Sequence, residues 1–75
     1  MRIFTENSLY VWDVAEQTVT RSNLSGEPLR RDDEPIRCVF VGVVADGLPA
    51  LLVLDLIGDG TLTFRETSPV VSVEP

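Results

Sequence analysis

The stretch Ile36-Arg37-Cys38-Val39-Phe40-Val41-Gly42-Val43-Val44, then Asp46-Gly47-Leu48-Pro49, then Ala50-Leu51-Leu52-Val53-Leu54-Asp55-Leu56-Ile57, decides the fold. The first run is rich in β-branched and aromatic residues, which fit a pleated strand. Asp46-Gly47 is a hairpin turn signal, so the second run is expected to pair back on the first. A helix is the competing reading, with Pro49 in its first turn and Gly58 past its end. The run of Leu and Val has no polar face, however, and would make a poor surface helix. The strand reading is preferred.

Both runs are apolar on two sides. In 36–44 one face carries Ile36, Cys38 and Phe40, and the other carries Val39, Val41 and Val43. In 50–57 one face carries Leu52, Leu54 and Leu56. The other carries Leu51, Val53 and Ile57, interrupted by Asp55. Strands of this kind are normally covered on both faces. No helix remains to cover the second one. We therefore expect a homo-oligomer, with Val39, Val41, Val43, Leu51 and Val53 as the candidate self-association residues.

Working outward, the same strand-and-turn rhythm continues. Ile3–Thr5 reads as a short strand, and Leu9–Val14 pairs with Thr18–Arg21 as a hairpin. Thr61–Glu66 alternates, with Leu62 and Phe64 on one side. Ser68-Pro69 is expected to break it before a last strand, Val70–Glu74. The expected fold is all-β: a six- to seven-stranded antiparallel barrel or roll, forming one domain over residues 1–75. Residues 22–35 lose all periodicity and read as a long loop ending in Arg30-Arg31-Asp32-Asp33-Glu34-Pro35.

A 75-residue chain is close to the lower limit for unaided folding. A domain of this size buries about 60% of its unfolded surface. The usual staples are missing, because Cys38 is the sole cysteine and there is no histidine. Packing or self-association must compensate.

Composition also narrows function. The net charge of −6 argues against direct binding to nucleic acid or to an anionic membrane. No run approaches the roughly 20 apolar residues that span a bilayer. Met1 leads straight into Arg2-Ile3-Phe4-Thr5-Glu6 without an apolar signal region, so cytoplasm is the expected compartment. Without histidine or lysine, a serine or threonine nucleophile has no ordinary base. Cys38 lies mid-strand and reads as a small core residue. No catalytic residue, metal ligand or cofactor site is assigned.

Asp55 to Glu66 matches a calcium-loop pattern at Asp55, Asp59, Gly60, Leu62 and Glu66. Ile57 removes one ligand, and the following segment alternates as a strand, so a hairpin turn is the better reading. Tyr10 and Trp12 share one strand face. Aromatics with polar handles favour interfaces, which makes them candidate partner-binding residues together with Arg30 and Arg31 of the loop. The plainer reading is that the two aromatics pack across the hairpin onto Val19 or onto a neighbouring strand.

All six basic residues are arginine, as in proteins from GC-rich genomes. Asn7-Ser8-x-Tyr10-x-Trp12-Asp13 with Thr18-Val19-Thr20-Arg21, and Thr63-x-Arg65-x-Thr67-Ser68-Pro69-Val70-Val71-Ser72-Val73-Glu74, carry a resemblance. The chain resembles small proteins of actinobacteria and actinobacteriophages over roughly half its length, outside residues 22–35. The resemblance implies an origin and no activity. The expectation is a non-enzymatic, oligomer-forming β module that binds protein, either a copy of itself or a host protein. The alternatives are an acidic nucleic-acid mimic that blocks a DNA-binding protein, or a small head or tail component of a virion.

Overall fold

A computed structural model describes residues 1–42 and 46–75. Six antiparallel strands, β1 (Arg2–Thr5), β2 (Ser8–Asp13), β3 (Thr18–Asn23), β4 (Ile36–Gly42), β5 (Pro49–Leu54) and β6 (Thr63–Glu74), close in sequence order into a barrel. Among the described residues there is no helix, and none long and apolar enough to cross a membrane. The strand alternative for the 50–57 run therefore holds, from Pro49 to Leu54.

Closure depends on β6. Its first half pairs with β5, from Leu54↔Thr63 to Leu51↔Glu66, and its second half pairs with β1, from Thr5↔Val70 to Arg2↔Glu74. The expected break at Ser68-Pro69 does not occur. Pro69 has no N–H to offer a ladder, and it sits where the strand changes neighbours, opposite Pro49. The bulge beside Pro49 leaves the Ala50 N–H without a backbone acceptor in register. The buried hydroxyl of Thr67 accepts it at 3.0 Å and donates to the Ser68 carbonyl at 2.7 Å.

The interior holds Ile3, Tyr10, Val19, Cys38 and Val41 against Ala50, Leu52, Leu54 and Val70. Trp12 and Ile36 pack against this cluster. A bulge between Cys38 and Phe40 changes the parity of β4. Cys38 and Val41 therefore both face inward, while Val39 and Phe40 are exposed. Strict alternation had placed Val41 opposite Cys38, on the self-association face. The extra residue at the bulge moves it into the core.

The calcium-loop pattern folds as a turn. Asp55 accepts from the N–H of Gly58 at 2.8 Å and of Gly60 at 3.3 Å, and both glycines have positive φ (74° and 87°). Its carboxylate is occupied by backbone.

Candidate functional site

Two surface features remain once the barrel is closed. The first is the outer face of β4, β5 and β6. Val53 alternates with the interior Leu52 and Leu54 and so points outward, yet it is only 7% exposed. Its cross-strand neighbours explain this. Phe40 pairs with Val53 on one side and Phe64 on the other. The two rings shield Val53 and are themselves 52% and 69% exposed. Leu51, beside Gly42 and Glu66, extends the row along β5. A Cβ on Gly42 would stand 3.0 Å from the Phe40 ring, so the ring lies close over the glycine.

The structure thus sorts the candidate self-association residues. Leu51, Val53 and Val39 belong to the outside, Val41 belongs to the core, and Val43 lies outside the described residues. Phe40 and Phe64 are the additions. Leu62 and Phe64 also prove to be on the exterior, since the alternate positions Thr63 and Arg65 are those that pair with the inward residues Leu54 and Leu52 of β5.

The second feature is a cavity of about 320 Å³ at the barrel mouth, where β3 ends and β4 begins. Four of the six arginines line it: Arg21 of β3, Arg30 and Arg31 of the loop, and Arg65 of β6. Leu29, Ile36 and Leu56 supply apolar wall. Asp32 is the one carboxylate among the lining residues, and it is already engaged: Nη1 of Arg21 lies 2.6 and 2.7 Å from its two oxygens.

The loop is more ordered than its composition implied. Asp32 also accepts from the Leu29 N–H at 2.8 Å, the Asp33 N–H donates to the Arg21 carbonyl at 2.7 Å, and Ser22 donates to Asp33 at 2.9 Å. Asp33 adopts a positive φ of 64° to make this possible. The Asp32 side chain is 9% exposed, not solvated as a charged loop suggests. The Arg21 hydrogen bond holds its pKa below the usual carboxylate value, against the opposing effect of burial. On Arg21 burial works to lower the pKa, but hydrogen bonding to Asp32 and the nearby Tyr10 outweighs it and leaves the pKa raised.

The sequence-based partner-binding set divides. Arg30 and Arg31 lie at the mouth. Tyr10 is buried in the core, and Trp12 packs against that core opposite Val19. Burial removes Tyr10 from the surface, and the packing of the partly buried Trp12 against the core supports the plainer packing reading. Trp12 Nε1, Arg21 Nε and Asn23 Oδ1 are buried without a partner. Arg21 and Arg65 are the site residues that sequence reading missed. The available signal was parity: each is an arginine at an inward position of its strand, as their pairings with Tyr10 and Leu52 show.

Comparison with protein-family models, curated proteins and solved structures gives no match.

Proposed function

We propose that the chain is a non-enzymatic β module that self-associates through the outer face of β4, β5 and β6, as an accessory protein of actinobacterial or phage origin. The observation carrying this reading is the row Phe40–Val53–Phe64, an aromatic-flanked apolar strip on the outside of a closed barrel. Among the described residues every strand has a paired neighbour on both sides over at least part of its length, which favours association through the apolar face. A second copy suits the strip because its charged corners are complementary. Arg37 of β4, which also lies 3.7 Å from Asp55, and Glu66 of β6 stand diagonally across Val53, both outward. A two-fold axis in the interface along the other diagonal sets each against its counterpart in the second copy.

Supporting the absence of catalysis, the chain has no histidine or lysine, and its one thiol is buried. The acidic-mimic alternative is weakened by four arginines gathered at one mouth.

Light scattering coupled to gel filtration tests the reading. The expected mass is a multiple of 8.3 kDa, and Phe64→Glu and Phe40→Glu, each still folded by circular dichroism, should return it to the monomer. A wild-type monomer at tens of micromolar, or assembly unaffected by both variants, would overturn it.

A further inference from the structure

We propose that the arginine-lined mouth binds a small organic anion, a phosphate or carboxylate carried on a compact apolar body. The inference is independent of self-association. It starts from a charge distribution that runs against composition. Carboxylates outnumber arginines twelve to six in this chain, yet four arginines and one carboxylate line the cavity.

The four arginines are not equivalent. Arg21 is neutralised by Asp32 and forms wall. Arg31 is spent on structure, donating to the Leu56 carbonyl and to Glu34 at 3.3 Å each. Arg30 and Arg65 make no ion pair or side-chain hydrogen bond among the described residues. Arg2 and Arg37, which are not part of the lining, are paired with Glu74 and Asp55. The two guanidiniums unpaired among the described residues therefore both line one cavity, reaching it from different elements. A planar guanidinium matches phosphate and carboxylate geometry.

The rest of the wall selects the body of the ligand. Leu29, Ile36 and Leu56 are the apolar side chains of the lining. A volume of about 320 Å³ is at the small end of ligand pockets, suited to one ring-sized group. The wall is held before any ligand arrives, through Asp32 to Arg21 and Leu29 and through Asp33 to the β3 backbone. Such preorganisation lowers the ordering cost of binding. The overall charge of −6 gives no general attraction for anions, so affinity must arise locally.

Phenyl phosphate is the probe, titrated into the isotopically labelled full chain and followed by amide chemical shifts. The expected result is saturable shifts at Leu29, Arg30, Leu56 and Arg65, with phenol and inorganic phosphate each binding about tenfold more weakly. Arg30→Gln and Arg65→Gln should each weaken phenyl phosphate about tenfold, the effect of one charge-assisted contact. Arg2→Gln, which is not part of the lining, should leave it unchanged. Both mouth positions are exposed, and unchanged thermal melting verifies folding. Absence of shifts at millimolar probe, phenol binding as tightly as phenyl phosphate, or full affinity in both mouth variants would overturn the proposal.

Discussion

Nη1 of Arg21 sits between the two carboxylate oxygens of Asp32, at 2.6 and 2.7 Å, and this contact ties an apparently featureless loop to the barrel. Arg21 is 15% exposed, so its charge cannot simply return to water if Asp32 is removed. Asp32→Asn should destabilise the fold, because a half-buried cation loses its counterion. The pH dependence has a definite sign. The folded pKa of Asp32 lies below its usual 3.8, so its contribution is present above that pH and is lost as pH falls through the folded value. Urea midpoints of wild type and variant should differ at pH 7 and begin to converge only as the pH falls below 3.8.

Thr67 repairs the ladder where two prolines oppose each other, by accepting the buried Ala50 N–H. Thr67→Val keeps the shape and removes the acceptor, which should cost about 1–3 kcal/mol. Thr67→Ser should restore most of it. Denaturant titration of the three proteins checks this, with equal stability of the valine variant as the contrary result.

Leu52 and Phe64 are both apolar and lie on neighbouring strands, but they face opposite ways. Leu52→Ala should cost roughly 2–5 kcal/mol, the range for a buried leucine, and would leave much of so small a domain unfolded. Phe64→Ala should cost monomer stability less, up to about 1 kcal/mol, through lost cover over Val53 and lost strand preference. Its main effect belongs to assembly, so the comparison requires dilution series at each denaturant concentration.

Cys38 lies inside the barrel, where its thiol donates to the Phe40 carbonyl at 3.2 Å. Burial pushes its pKa up, with a partial offset from hydrogen bonding. A disulfide reagent at pH 8 should therefore react slowly with the folded protein and quickly in urea. Fast stoichiometric labelling without denaturant would show that the barrel opens readily.

The strands and hairpins were legible because their signals are local. Alternating Val, Leu, Tyr and Trp, punctuated by Asp-Gly and Gly-Asp-Gly, specify antiparallel ribbons over a few residues. The apolar exterior was legible too, as Leu51 and Val53 show. Other features depend on partners distant in the chain. Pro69 looked like a breaker until β1 offered it a place at a change of neighbour. Val41 looked external until the bulge after Cys38 shifted parity. The loop looked solvated until Asp33 met Arg21 across β3.

By itself, then, the sequence determined an all-β chain of short ribbons with surplus apolar surface and no ordinary catalytic base. Only tertiary structure decided that Val41 lies inside while Phe40 lies outside, and that Arg21, Arg30, Arg31 and Arg65 share one mouth. The physical reason is that periodicity is written in neighbouring residues. Register, bulges and barrel closure are settled by contacts between segments tens of residues apart, and these also fix where the charges gather.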